Sequence, residues 1–479
     1  MVQGNLKHKT KVGLYWTFIN QFANNGLQFV VGIVMARLLS PSDYGITALP
    51  AVFMAVAGTL IDGGFSSALV RKPDLTEKDL ATSFYYSIMV GIVCYLAIFI
   101  ASPWIAEFYK IPVLDPLIKV TALSFLWGPL GTPQNVILQR RLDFKTPARI
   151  SVITKIIGSV VGLTVAFLGY GLWALVVMGV VSSLLGLIQT WLVVRWLPKA
   201  GWSKASFKYL WGFGNKLIFS YIIDQIYQNI SPIFIGKYYS PAQLGQYNRA
   251  EGYANLPSRQ FTGMIQGVTF PVLSQLIGDK ERLKEKYRTM IKVTAFVITP
   301  IMLGLSALAS PFVLILIGEK WAPCIIFLQI ICFTRSIYPI QSLNVNLLMV
   351  SGRSDLYLRL EIIKKVIGVL MLAITLPISV LALVWGYLIY GILCLFLNLH
   401  YSKRIIDMTT FSQIRDVLPS WLLSLFMYLC VFGYTKVIDN LYAQLIGGII
   451  IGVIVYLTGA YLFKFKEINE VKYMLNRKK

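Results

Sequence analysis

Polar and charged side chains recur at intervals of three and four residues along one apolar segment, residues 244–275. The stripe consists of Asn248, Glu251, Asn255, Arg259, Thr262 and Gln266, and Arg249 lies beside it. In an α-helix this spacing places the side chains on one face. Two interpretations stay open: Glu251 forms an ion pair with an arginine of another helix, or Arg249 and Arg259 line a cavity and attract an anionic group.

Three further charged residues lie within or at the end of apolar segments. A charge at the centre of a membrane costs about 2.5–3.5 kcal/mol, so each should face protein or water. Arg335 is a further candidate for a cavity because it lies in the middle of its segment. Asp224 either titrates as an ion-coupling group or forms an ion pair with a basic residue. Asp62, which precedes two glycines, is either a gate or a helix end without a gating role.

The chain contains an internal duplication with a period of about 200 residues. Arg37-Leu-Leu-Ser-Pro-x-x-x-Gly45 recurs as Lys237-Tyr-Tyr-Ser-Pro-x-x-x-Gly245. Ser suits a helix N-cap, Pro suits the first helical turn, and the third residue after Ser can complete a capping box. The segments in front also match, because the polar face Gln21, Asn24, Asn25 and Gln28 aligns with Tyr221, Asp224, Gln225 and Gln228. Duplicated polar faces predict two halves that face a shared polar space.

The composition predicts an all-α polytopic membrane protein. Hydrophobic residues make up 56% of the 479 and charged residues only 14%, against about 25% in soluble proteins. Apolar windows of about 20 residues can each cross a bilayer. They predict about 14 transmembrane helices, near residues 14–36, 44–67, 82–103, 114–137, 150–168, 172–194, 209–235, 244–275, 290–316, 322–350, 358–377, 380–400, 416–436 and 441–463.

The net charge of +23 is distributed unevenly between the two sets of predicted loops. One set holds only Arg37, Lys110, Lys237, Lys320 and Lys436, whereas the other set and both termini hold most of the remaining Lys and Arg. The positive-inside rule therefore predicts that both termini are cytoplasmic. This alternation is typical of membrane topology and argues against a nucleic-acid partner.

The repeat predicts the domain organisation. Residues 1–200 and 201–410 should each form a lobe of six helices. An even number of spans returns the chain to the same side, so the lobes form a parallel repeat. Residues 411–479 then add two transmembrane helices and a basic cytoplasmic tail.

Several classes of chemistry find no support in the sequence. The five cysteines lie within predicted spans at spacings unlike those of metal ligands, and they are interpreted as packing residues. No nucleotide-binding glycine loop or nucleophile elbow occurs. We therefore predict no metal, no cofactor, no catalytic residue and no ATP-driven motor in this chain.

Motifs along most of the chain resemble those of the Wzx-type polysaccharide flippases of the MOP superfamily, the branch that carries O-antigen, colanic-acid and teichuronic-acid precursors. The first copy of the repeat, residues 37–45, resembles their R-L-L-x-P-x-D-Y-G signature. Further similar motifs are Leu138-Gln-Arg-Arg-Leu-Asp-Phe144, Gly169-Tyr-Gly-Leu-Trp-Ala-Leu175, Tyr247-Asn-Arg-Ala250, Phe270-Pro-Val-Leu-Ser274 and Gly318-Glu-Lys-Trp321.

The resemblance implies that the chain moves undecaprenyl-pyrophosphate-linked oligosaccharide across the bacterial inner membrane by alternating access. Related flippases hold the pyrophosphate with cavity arginines, which would here be Arg249, Arg259 and Arg335. The amides would bind sugar hydroxyls: Asn248, Asn255, Gln21, Asn24, Asn25, Gln28, Gln225 and Gln228. Asp62, Asp224 and Glu251 remain candidates for ion coupling or gating. The last two spans resemble those that form a lipid-tail groove in lipid II flippases.

The expected partners are the lipid-linked substrate, membrane lipids and the polymerase or glycosyltransferases of the same biosynthesis. One alternative is a multidrug or small-metabolite antiporter of the same fold, which should have a more apolar cavity and an acidic ion site. Another is a membrane glycosyltransferase, polymerase or ligase. Such enzymes need a sizeable outer loop with acids or bases, and the predicted outer loops are short and nearly uncharged.

Overall fold

The computed structural model of the chain describes residues 21–470, and all their regular secondary structure is helical. These residues divide into two compact units, with the boundary between Gly245 and Gln246. The basic residues before position 21 and the last part of the basic tail lie outside the described residues, as does the start of the first predicted span.

The first unit contains twelve helices among the residues described. They are α1 (21–38), α2 (Pro41–Ala48), α3 (Ala51–Asp62), α4 (Phe65–Arg71), α5 (Glu77–Tyr109), α6 (Leu114–Ala122), α7 (Ser124–Trp127), α8 (Thr132–Arg140), α9 (Lys145–Phe167), α10 (Trp173–Val194), α11 (Lys204–Gln228) and α12 (Ile230–Tyr238). A 3₁₀ turn, Gly128–Gly131, joins α7 to α8.

Helix α13 (Pro241–Ser274) begins at the end of the first unit and continues into the second. The other helices of the second unit are α14 (Lys280–Ala307), α15 (Ala309–Ile317), α16 (Cys324–Val350), α17 (Ser354–Thr375), α18 (Val380–Ile406), α19 (Thr410–Val437) and α20 (Leu441–Leu462). A 3₁₀ turn, Glu319–Trp321, precedes α16.

Within residues 21–470, nine helical segments are long and apolar enough to cross a membrane. The all-α polytopic class is therefore confirmed, while the count of fourteen spans and the lobes 1–200, 201–410 and 411–479 stay predictions. The predicted span 114–137 is broken into short helices around Gly128–Gly131. Pro129 and Pro133 explain the break, because proline cannot donate the backbone hydrogen bond that continues a helix.

The duplicated motif forms helix starts, as its sequence predicts. Ser40 caps α2 by accepting from the backbone N–H of Asp43, and the Asp43 carboxylate accepts from the N–H of Ser40. The second copy repeats the arrangement with Ser240 and Gln243. Both capping boxes are therefore confirmed.

The two copies of the motif also cross each other at their glycines, within the first compact unit. A methyl group added to Gly45 would overlap the backbone carbonyl of Pro241. One added to Gly245 would overlap the carbonyl of Pro41 and lie 3.0 Å from the backbone nitrogen of Gly45. The contact is reciprocal, and it is possible only because both positions lack a Cβ atom. We call it the glycine crossing.

Helices α14 and α19 of the second unit are joined by a cluster of charged and polar side chains. The buried carboxylate of Asp416 accepts two hydrogen bonds of 2.7 Å from Arg288 and lies 3.2 Å from Lys292. One residue before Arg288, the hydroxyl of Tyr287 lies 3.1 Å from the Oε1 atom of Gln413. A bidentate carboxylate–guanidinium pair is a strong directional contact. Helix α19 is therefore packed firmly against α14 of the second unit.

Candidate functional site

The polar stripe predicted on residues 244–275 lies along α13, and its members differ in exposure. Asn248, Arg249, Glu251 and Asn255 are half-buried, whereas Arg259 is exposed. Arg259 forms no ion pair with any residue between 21 and 470. The arginines of the stripe therefore lie in two different environments along one helix.

The half-buried part of the stripe contains an ion pair between two helices. Arg335 of α16 donates from Nη2 to the Oε1 atom of Glu251 in α13 over 2.6 Å. Ser258 donates to the backbone carbonyl of Arg335 over 2.9 Å, which fixes α16 against α13 at the same place. The two charged side chains are 24% and 27% exposed. The interpretation of Glu251 as the partner of an arginine on another helix is thus confirmed.

Two buried polar atoms at this ion pair lack a hydrogen-bond partner in the part of the chain that the structure describes. They are Nε of Arg335 and Oδ1 of Asn255. Asn255 lies one turn of α13 after Glu251. A buried polar group left unpaired costs about 1–3 kcal/mol, and such groups are normally satisfied. This arrangement suits a place where water or a polar ligand completes the hydrogen bonds.

Arg249 is held by aromatic rings near the start of α13. Its guanidinium carbon lies 5.6 Å from the ring centroid of Tyr253 and 5.5 Å from that of Trp321. Such stacking orients a guanidinium plane and can leave its edge to bind an anion. Trp321 belongs to the Gly318-Glu-Lys-Trp321 motif, so the structure gives this motif a packing role that the spacing alone did not reveal.

The amide face of α1 is divided between exposed and buried positions. Gln21 and Gln28 are exposed, and Asn25 is half-buried. Asn24 is 6% exposed, and its Oδ1 atom accepts a hydrogen bond of 3.2 Å from Ser151 in α9. Asn24 thus contributes to packing between two helices of the first unit.

The corresponding face of α11 borders a cavity with α3. Asp224 and Gln225 are half-buried and Gln228 is exposed. The cavity has a volume of about 410 Å³ and is lined by Ala55, Gly58, Thr59 and Asp62 of α3 and by Tyr221 and Gln225 of α11. We call it the α3–α11 cavity. It brings together two residues that the sequence had singled out separately, Asp62 and Gln225.

A second cavity of the first unit was not found from the sequence. Its volume is about 420 Å³, and its walls come mainly from α6 and α10. The polar lining consists of hydroxyl groups only, those of Thr47, Thr121, Ser124 and Ser183. Each donates its proton to a backbone carbonyl three or four residues earlier in the chain. Isolated hydroxyls in apolar helices carry no sequence pattern, which explains why the cavity could not be predicted.

A metal centre finds no support in residues 21–470, where no three His, Cys, Asp or Glu side chains form a group that could hold an ion. The cysteines described there are free, and four of the five are buried.

Comparison with known families identifies the chain. The family described as polysaccharide biosynthesis protein matches residues 34–326, which include both copies of the repeated motif and the first charged residues of α13. The chain belongs to this family. The resemblance to polysaccharide flippases that its motifs indicated is confirmed. Proteins similar to this chain are named for the biosynthesis of teichuronic acid and of lipopolysaccharide.

Two such relatives are similar over most of their length. The teichuronic acid biosynthesis protein TuaB of Bacillus subtilis is 23% identical over 424 residues, which are 88% of this chain and 88% of TuaB. The lipopolysaccharide biosynthesis protein WzxC of Escherichia coli is 26% identical over 366 residues, 75% of this chain and 74% of WzxC.

Solved structures establish the fold of this polysaccharide biosynthesis protein. The lipid II flippase MurJ, in an inward closed conformation, matches with a TM-score of 0.73 at 17% identity, over 94% of this chain and 98% of MurJ. A multidrug resistance MATE family transporter of the MOP superfamily, in an inward-facing conformation, matches with a TM-score of 0.58 at 16% identity, over 86% and 95%. The fold is thus shared by a flippase and a multidrug resistance transporter, and it does not decide between these functions.

Proposed function

We propose that the chain is a flippase that translocates undecaprenyl-pyrophosphate-linked oligosaccharide across the bacterial inner membrane. The names of its relatives support this proposal, because teichuronic acid and lipopolysaccharide are both polymers made from sugars. The fold is compatible with it as well, since the lipid II flippase MurJ shares this fold. On this proposal the chain moves its substrate without catalysing a reaction on it.

The observation that carries the proposal is the incompletely satisfied arginine inside the second unit. Arg335 donates one hydrogen bond to Glu251, and its Nε–H group is buried without an acceptor between residues 21 and 470. A guanidinium has five N–H donors in a planar fork that matches phosphate oxygens. A pyrophosphate would therefore add to the Glu251 contact rather than replace it. Arg249 and Arg259 on α13 supply further positive charge.

Transport would follow alternating access, with the glycine crossing as the outer closure. The uneven distribution of Lys and Arg assigns the loops that contain Arg37 and Lys237 to the periplasmic side and both termini to the cytoplasm. Lys237 supports the closed arrangement, since its ammonium donates to the carbonyl of Phe108 and lies 3.8 Å from the centroid of that ring. Opening to the periplasm would separate the two copies of the motif.

The polymerase and glycosyltransferases that make and consume the lipid-linked precursor are the proposed partners. In the substrate itself, the pyrophosphate would meet the arginines of α13 and α16, and sugar hydroxyls would meet the amides of α1, α11 and α13. Asp224 and Glu251 remain candidates for coupling to an ion gradient.

A deletion strain provides the first test. Loss of the chain is expected to stop polymer export and to make lipid-linked oligosaccharide accumulate on the cytoplasmic side, while sensitivity to drugs stays unchanged. Mass spectrometry of extracted lipids and growth on a panel of cationic drugs measure the two outcomes. The MATE likeness makes an antiporter the second candidate. Increased drug sensitivity with normal lipid-linked intermediates would favour that candidate and contradict flipping.

A further inference from the structure

The α3–α11 cavity has walls that are fixed by unusually close backbone packing. Gly63 and Gly64, which follow Asp62, both have positive φ angles of 60° and 68°. A Cβ atom at Gly64 would lie 2.9 Å from the Cα atom of Gly214 in α11, and one at Gly214 would overlap the carbonyl of Gly63. Only glycine permits both the turn and the approach. The end of α3 is therefore held directly against α11 beside the cavity.

Asp62 presents acceptor capacity to this cavity. One carboxylate oxygen accepts from the backbone N–H of Gly64 at 3.1 Å, and the other accepts from the hydroxyl of Ser66. An ionised carboxylate has about four lone-pair sites. Two sites are used by these contacts, which hold the group in place, and about two remain for a ligand that donates hydrogen bonds.

The other polar groups of the cavity also suit a ligand that donates hydrogen bonds. Thr59 donates its hydroxyl proton to the carbonyl of Ala55 over 3.0 Å, so its oxygen can only accept from a ligand. The amide of Gln225 forms no hydrogen bond with the described residues and can both donate and accept. The cavity thus offers mainly acceptors, together with one amide of mixed character.

Tyr221 adds an aromatic surface next to these acceptors. Its side chain is 44% exposed, and it lies one helical turn before Gln225 on the same face of α11. An aromatic ring carries negative partial charge on its face. The C–H groups on one side of a sugar ring carry positive partial charge and pack well against such a face. Hydroxyl donors around the rim of the sugar would then reach Asp62 and Thr59.

The same lining disfavours the alternative ligands. Among residues 21–470, no Lys or Arg lines the cavity, so a pyrophosphate would meet the negative charge of Asp62 without compensation from them. A hard cation such as Ca²⁺ takes about six to eight oxygen ligands, and the oxygen-bearing side chains of the lining, Thr59, Asp62, Tyr221 and Gln225, supply fewer. The volume instead falls within the range of about 300–1,000 Å³ that is usual for small-molecule sites.

We propose that the α3–α11 cavity binds a neutral sugar residue of the substrate and that Tyr221 and Asp62 determine its selectivity. This deepens the proposed function, on which it rests. The pyrophosphate and the glycan are thereby assigned to different residues: the arginines of α13 and α16 hold the charged part, and the α3–α11 cavity recognises the sugar.

The test compares binding of two lipids to the purified full-length chain in lipid nanodiscs. The first is undecaprenyl pyrophosphate without sugar, and the second is the lipid-linked oligosaccharide extracted from the bacterium that makes the chain. Y221A and D62N are each expected to weaken binding of the second lipid roughly tenfold, which corresponds to losing one good contact. Binding of the first lipid should stay within twofold of wild type. Y221F keeps the ring and should therefore bind the second lipid more tightly than Y221A does.

The matched control is F219A, which removes an exposed aromatic ring from the same helix but outside the cavity. It should leave both affinities unchanged. Thermal unfolding of each variant separates loss of folding from loss of binding, and Q225L tests the site without touching the Asp62 turn. Equal weakening for both lipids, no weakening for either, or a D62N effect seen only on sodium binding would overturn the sugar site. Failure of the wild type to bind either lipid would instead overturn the proposed function.

Discussion

Replacing Gly45 or Gly245 by alanine is expected to reduce polymer export at least tenfold while the chain still inserts into the membrane. The new methyl group would occupy the position of a backbone carbonyl, that of Pro241 or Pro41. Overpacking of this kind costs about 1–3 kcal/mol, and a backbone carbonyl cannot rotate away as a flexible side chain can. The closed arrangement would lose that stability, and the transporter would spend less time closed to the periplasm.

Complementation of a deletion strain measures the effect, with protein levels determined by immunoblotting. Gly252 provides a matched control, because it lies in the same helix as Gly245 and a methyl group there meets nothing within 4 Å. G252A should export normally. Normal export by both G45A and G245A would contradict the role of the glycine crossing.

Removal of Arg335 should also abolish most export, and the design must separate a structural from a functional loss. R335A leaves the carboxylate of Glu251 without its partner at a position that is 27% exposed. Breaking a buried ion pair costs about 3–5 kcal/mol, and partial hydration of Glu251 should lower this to about 1–3 kcal/mol. R335A alone therefore combines lost stability with a lost phosphate contact.

The double variant R335A/E251A separates the loss of stability from the loss of the phosphate contact. It removes both charges, so thermal stability in detergent should recover most of what R335A loses. Export should remain at least tenfold below wild type, because the charge-assisted contact to pyrophosphate is still absent. R282A serves as a control, since Arg282 is an exposed arginine whose partner is its near neighbour Asp279. Recovery of export together with stability would show that Arg335 serves packing alone.

Local features of this fold could be predicted from the sequence because local residues determine them. The capping boxes at Ser40 and Ser240 follow from residue types three positions apart, and both occur. The stripe of α13 follows from helical periodicity. An ion pair between Glu251 and an arginine of another helix was one of the two interpretations from the sequence. The sequence could not identify that arginine as Arg335, because the partner depends on how α13 packs against α16.

The α3–α11 cavity shows where sequence reasoning stops. Its α3 wall is made largely of small residues, Ala55 and Gly58. A cavity exists where side chains are small and a neighbouring helix does not fill the space, and no residue type encodes this by itself. Asp62 and the face that contains Tyr221 and Gln225 were recognised separately from the sequence, but only the structure shows that they line one cavity.

The polar face of α1 illustrates a related difficulty. Residues at i, i+3, i+4 and i+7 cover a broad arc of a helix, so the edges of a polar face can meet different surroundings. Asn24 hydrogen-bonds Ser151 of a neighbouring helix, while Gln21 and Gln28 are exposed. Helical periodicity predicted that these residues share one face of α1. It could not predict which of them pack against a neighbouring helix and which are exposed.

Reconstitution of the purified chain into liposomes measures translocation of the lipid itself. The vesicles carry undecaprenyl-pyrophosphate-linked oligosaccharide in the inner leaflet only, and a sugar-specific lectin outside reports each molecule that reaches the outer leaflet. We expect lectin binding to rise with time in vesicles that contain the wild-type chain and to stay near the protein-free background with R335A/E251A. No rise with the wild-type chain, under an imposed proton or sodium gradient as well as without one, would contradict the account.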